Sequence, residues 1–198
     1  MTAHPTTRLE SPSRTLAVVV ASVSLAWVAV ALIHPTTLTD DDTRLWTIVH
    51  VAQLAFAPMI ALGLLQLLRG IEGPAATVAR GTTVLWVAWF SAYDAVAGIA
   101  TGILTGGDAR AAGQYLFEHG LITGLGWLAP GMWLLAVIPA GLALRASRVP
   151  TVTYVALFVS ALIFTHAGPP AAVGFAALAV ALWTGLSAGA HSDTWRSR

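Results

Sequence analysis

The sequence contains no cysteine and no lysine. Without cysteine there are no disulfides, thiolate metal sites, iron–sulfur clusters or cysteine nucleophiles. Without lysine there is no Schiff base, which excludes a retinal protein of the rhodopsin type. Charge of either sign is scarce: 10% of the 198 residues are Asp, Glu, Lys or Arg, where a soluble domain carries about 25%. The formal net charge of +1 offers nothing for nucleic acid to bind. Phosphate loops of the Walker A and Gly-x-Gly-x-x-Gly types are missing, as is a His-Glu-x-x-His zinc motif. So are the aspartate-rich diphosphate motifs of membrane prenyltransferases and the basic signatures of membrane lipid phosphatases.

What fills the chain is apolar: 57% of residues are hydrophobic. They fall into six runs, at residues 15–34, 45–68, 82–104, 115–144, 151–166 and 170–188. Each is near the ~20 residues that cross a ~30 Å hydrocarbon core at 1.5 Å per residue. The expected fold is all-α, a bundle of six transmembrane helices. The fourth run is long and holds Pro130 and Pro139, which predicts a kink or tilt. The fifth is short and ends at Gly168-Pro169-Pro170. One transmembrane domain, residues 15–188, is expected between tails at 1–14 and 189–198. Ala29-Val30-Ala31 imitates a signal-peptidase site, but the apolar run before it is long for a signal core, so a retained first helix is expected.

Arginine placement predicts the orientation. Arg8, Arg14, Arg69, Arg80, Arg145, Arg148, Arg196 and Arg198 fall on one side of such a bundle, and Arg44 and Arg110 on the other. By the positive-inside rule both termini are expected in the cytoplasm. The expected location is the cell membrane, multi-pass. The lysine-free composition, rich in Ala, Gly and Arg, suits a high-GC bacterium.

Within the stretch Arg80 to Leu104, RGTTVLWVAWFSAYDAVAGIATGIL, which contains the third run, stands Asp94. A charge at that depth costs roughly 2.5–3.5 kcal/mol on insertion scales, so such a residue is expected to have a partner or a task. Ser91, Asp94, Gly98 and Thr101 recur at i, i+3, i+7 and i+10 and share one helical face, expected to point into the bundle. Gly98 and Gly102 form a Gly-x-x-x-Gly that admits a close neighbour. The orientation places His34, His50, Glu118, His119 and His166 in the same outer half as Asp94, with Gln53 on the His50 face. Asp94 is expected to be the deepest member of that cluster.

The bland alternatives are specific. Glu118 with His119 would open the fourth helix, where a carboxylate suits the N-terminal dipole. His166 would bond a free helix-end carbonyl, and His34 would be interfacial. Eight tryptophans are many for this length. Most would be belt or packing residues, but Trp86, Phe90 and Trp127 would line an aromatic cavity able to stabilise a cation. Gly185-Leu186-Ser187-Ala188-Gly189 matches Gly-x-Ser-x-Gly without the strand–turn–helix that a nucleophile elbow needs. Asp40-Asp41-Asp42 reads as an exposed acidic loop, and no metal site is expected.

Three functions follow. The first is a membrane-embedded enzyme acting on a lipid-like or isoprenoid substrate by general acid catalysis, chemistry of the terpene-cyclase kind. Asp94, His50 and Glu118 would be catalytic, and Trp86, Phe90, Gln53, Ser91, Trp127 and His166 would bind substrate. The second is a small-solute or proton-coupled transporter component, or a substrate-binding membrane subunit. Ala17-x-x-x-Ala21 would then dock a partner or a second copy. The third is a b-type haem protein with His50 and His166, or His50 and His119, as axial ligands. No cofactor is required by the first two.

Overall fold

The computed structural model describes residues 14–147 and 149–196, which are all helix and turn, with no strand among them. The elements are α1 (Arg14–Ile33), α2 (Thr43–Leu67), α3 (Pro74–Thr105), α4 (Arg110–Glu118), α5 (Gly120–Ala146), α6 (Thr151–Thr165) and α7 (Gly168–Arg196). Five of them, α1, α2, α3, α5 and α7, are long and apolar enough to cross a membrane; α6 is apolar but shorter. The protein is thus consistent with a helical membrane protein.

Local chemistry sets the ends. The α2–α3 turn needs left-handed backbone at Gly70 and Gly73, and Pro74 then starts α3 with its preset φ. The Arg80 guanidinium reaches back to donate to the Leu68 and Ile71 carbonyls of the α2–α3 turn. At the opposite end Arg110 pairs with Asp40 at 2.6 Å, tying α4 to the α1–α2 loop. Gly113 lets α4 fold back on the last turn of α3, since a Cβ there would overlap Thr105.

Several boundaries differ from the sequence expectation. The third helix starts at Pro74, well before residue 82. The fourth long helix starts at Gly120, because the chain turns extended at His119 (ψ 131°). Residues 115–118 therefore close α4, a short amphipathic helix with Tyr115 65% exposed. The segment expected as a tail from residue 189 continues α7 as far as Arg196. The tail expected before the first helix lies outside the described residues, save for Arg14, which begins α1.

The helices pair as α1 with α7 and α3 with α5, with α2 between α1 and α3. Ala17 and Ala21 are buried inside this packing, so the small-residue face of α1 is used by the chain itself. Aromatic rings fill the middle of the bundle. Trp27 stacks on Phe175 at 4.5 Å and meets Phe90 edge-on, while Trp86 lies against Trp133 at 4.7 Å.

Two helices are irregular, and tryptophan holds both. In α3, residues Asp94–Ala100 form a π-helix, and the Trp46 indole donates to the Ala97 carbonyl at 3.2 Å. In α6, residues Ser160–Thr165 form a 3₁₀-helix, and the Trp133 indole donates to the Ser160 carbonyl at 2.9 Å. In apolar surroundings a backbone carbonyl out of register needs such a donor. The same logic covers Pro139. It has no N–H for the Leu135 carbonyl, which instead accepts the Thr82 hydroxyl of α3 at 2.9 Å.

Candidate functional site

α2 and α3 run antiparallel in a register that glycine sets. His50 lies on Gly98, Thr47 on Gly102 and Thr43 on Gly106, and a Cβ at any of the three glycines would overlap its neighbour. The predicted Gly-x-x-x-Gly is thus the seam on which α2 rests. The same face buries Asp94, Gly98 and Thr101, while Ser91 is half-buried. One turn further along each helix from the His50–Gly98 contact stand Gln53 on α2 and Asp94 on α3.

Above that level three histidines from three helices converge. His34 follows the end of α1, His50 comes from the first turns of α2, and His166 ends the 3₁₀ segment of α6. The His34 ring meets His50 at 4.9 Å and His166 at 5.3 Å, both edge-to-face, and Trp46 lies 4.8 Å from His50. His34 and His50 are buried. The Nδ1 atom of His50 contacts the Trp46 carbonyl at 2.7 Å, and that of His34 the Pro35 carbonyl at 2.6 Å. A carbonyl can only accept, so each Nδ1 carries a proton, and in the neutral ring each Nε2 keeps its lone pair. The Nε2 of His34 is buried with no hydrogen-bond partner among the described residues.

His166 reaches the cluster by a left-handed backbone, φ 43°. A non-glycine residue there is under strain, and such strain collects at ligand clamps and active sites. The turn that follows, through Gly168 at φ 77°, leads directly into α7.

His166 also faces a crevice between α3, α4, α5 and α6. The crevice has a volume of about 480 Å³ and is walled by Tyr93, Phe117, Gly126, Trp127, Phe164 and His166, among others. It narrows inward, past the shared residues Tyr93, Gly126, Pro130 and His166, toward Trp86, Phe90 and Trp133. Its rim is apolar and outward-facing: Trp127 is 66% exposed and Phe164 lies 6.2 Å from it. Pro130, lacking an N–H, leaves the Gly126 carbonyl without its helical donor, which adds one acceptor to the wall.

The residues singled out in the sequence thus divide. His50, His166, Trp86, Phe90 and Trp127 belong to the cluster or the crevice. Asp94 and Gln53 are fully buried at the next level and are not among the residues of either opening. Glu118 ends α4 on the exposed surface and does not open a long helix. His119 contacts Tyr115 on α4. His34, expected at the interface, is the hub of the cluster, and Tyr93 was not anticipated. The proline after His34 hid its role, whereas the aromatic company of Trp86 and Phe90 would have pointed to Tyr93. No three His, Asp or Glu among the described residues are set to hold a metal ion.

In comparison with known proteins, no family model, no curated protein and no solved structure matches the chain. Fold and site therefore define a class only: an all-helical protein, consistent with a membrane protein, with a buried histidine cluster beside a lateral aromatic crevice.

Proposed function

We propose that the protein crosses the cell membrane six times, with both termini cytoplasmic, and is an embedded enzyme for a lipid-like substrate that enters from the outer leaflet. Six crossings include α6. Its 3₁₀ half rises about 2.0 Å per residue, against 1.5 Å in an α-helix, and this brings 15 residues to roughly 25 Å. The orientation rests on Arg14, Arg69, Arg80 and Arg145 at one end of the bundle, with Arg44 and Arg110 at the other.

The observation that carries the enzymatic reading is the meeting of the crevice with the histidines. An apolar molecule lying between Trp127 and Phe164 would bring a polar end to His166. His166 is backed by His34, and through it by His50. This shifts the acid–base role from Asp94 to His166, with Trp86, Phe90 and Tyr93 as the inner wall. It also narrows the chemistry. Imidazolium is too weak an acid for an unactivated alkene, but it suits proton transfer at an oxygen, such as an epoxide or a hydroxyl on an isoprenoid-like chain. Aromatic faces beyond would stabilise developing positive charge.

The haem reading loses ground on geometry. For the pair His50 and His166, the His34 ring contacts both, at 4.9 and 5.3 Å, and fills the space where a porphyrin would lie.

The test is photo-crosslinking of a diazirine-bearing isoprenoid alcohol, and turnover of an epoxy-isoprenoid, with the protein in nanodiscs. Labelling should map to α5 and α6 around Trp127 and Phe164, and His166→Asn should abolish turnover. Labelling elsewhere, or full turnover by His166→Asn, would defeat the proposal.

A further inference from the structure

Asp94 and Gln53 are both fully buried, on the two helices of the α2–α3 seam, each about one turn from the His50–Gly98 contact and in the same direction. Both carboxyl oxygens of Asp94 and both amide atoms of Gln53 lack a hydrogen-bond partner among the described residues, as does the indole nitrogen of Trp27. Four unpartnered polar atoms on two side chains are costly in an apolar bundle, at about 1–3 kcal/mol for each neutral group and more for a charge. The level is bounded on one side by the His34–His50–His166 cluster and on the other by the Trp27–Phe90 aromatic layer. The ionisable groups on the elements packed here are His50, one turn away on α2, and Tyr93, next to Asp94 in sequence; His34 contacts His50, and His166 contacts His34 and Tyr93. The described arginines lie at the two ends of the bundle, none at this depth. The backbone at Asp94 is the start of the π-helix, a form that recurs at functional sites.

We infer that Asp94 and Gln53 form an internal site for one monovalent cation. The carboxylate supplies the compensating charge, and the Gln53 amide oxygen supplies a further ligand. The positive charge has two sources, a proton or a sodium ion, and both satisfy the same atoms. The site stands independently of what occupies the crevice, because neither Asp94 nor Gln53 is among the crevice residues.

The experiment uses the full-length protein in lipid nanodiscs. Its thermal midpoint is followed first in sodium chloride against choline chloride at fixed pH and ionic strength, then over a pH series without sodium. Occupancy at a hundredfold excess over Kd should raise the midpoint by on the order of 5 °C. A rise with sodium at constant pH identifies the ion. A rise only with falling pH, with an infrared carboxylic C=O band that Asp94→Asn removes, identifies the proton. Asp94→Asn should unfold near the midpoint of the loaded wild type and respond to neither, which separates Asp94 from the histidines in the pH arm. Gln53→Leu should weaken the apparent affinity on the order of tenfold, and it decides the matter if Asp94→Asn does not fold. A wild type indifferent to both cations overturns the inference, as does an unchanged response in the Asp94 variant or unchanged affinity in the Gln53 variant.

Discussion

The His50 imidazole rests directly on Gly98, with no side chain between them and no room for one. Both the ring and the Cβ of His50 stand where a Cβ at position 98 would go. Gly98→Ala should therefore push α2 off the π-helix and destabilise the protein by about 1–3 kcal/mol, as overpacking in a tight core does. A lowered thermal midpoint in detergent is the readout. A midpoint equal to wild type would mean that the seam is looser than this contact implies.

Trp46 connects the same seam to the π-helix through its indole N–H. Trp46→Phe keeps an aromatic ring against His50 but leaves the Ala97 carbonyl without its donor. The expected cost is about 1–3 kcal/mol. Hydrogen exchange resolved to residues 94–101 should speed up more than exchange in α5. Equal acceleration in both would point to general loosening instead.

At His166 backbone and side chain are separable. Asparagine tolerates left-handed backbone, so His166→Asn should retain nearly wild-type stability. His166→Val, β-branched, should lose about 1–2 kcal/mol from the same position. Both variants should lose turnover at the crevice. If His166→Asn is as unstable as His166→Val, the imidazole contact with His34, and not the backbone, is what holds this turn.

Gly126 stands where the crevice narrows, and a Cβ there would press on the Tyr93 ring at 2.9 Å. Gly126→Leu should block the passage inward. Crosslinking near Trp127 should then survive while crosslinking near Trp86 and Trp133 disappears. Labelling of both sets in the variant would show that the two spaces are reached by different routes.

Glu118→Gln should change little, within about 0.5 kcal/mol in stability, because the side chain is exposed at the end of α4. Turnover should stay at the wild-type level. A loss of turnover would restore Glu118 to the site.

Much of this architecture is legible along the chain because its causes are local. A run of apolar residues long enough for a bilayer needs no partner to be recognised, and a glycine stripe beside Asp94 shows by helical spacing alone which face packs inward. By itself, then, the sequence determined an all-helical apolar bundle, the inward face of α3 and the burial of Asp94. The rest depends on where helices from distant parts of the chain meet. His34, His50 and His166 are far apart in sequence, and only packing brings the His34 ring within about 5 Å of the other two. A helical period of 3.6 assumes regular turns, so it could not foresee the π-helix at Asp94, the 3₁₀ segment that ends at His166, or the indoles of Trp46 and Trp133 that hold them. Those turns are stabilised across helices. The tertiary structure therefore decided which histidines gather, and that the crevice opens on His166 while Asp94 and Gln53 stay buried outside it.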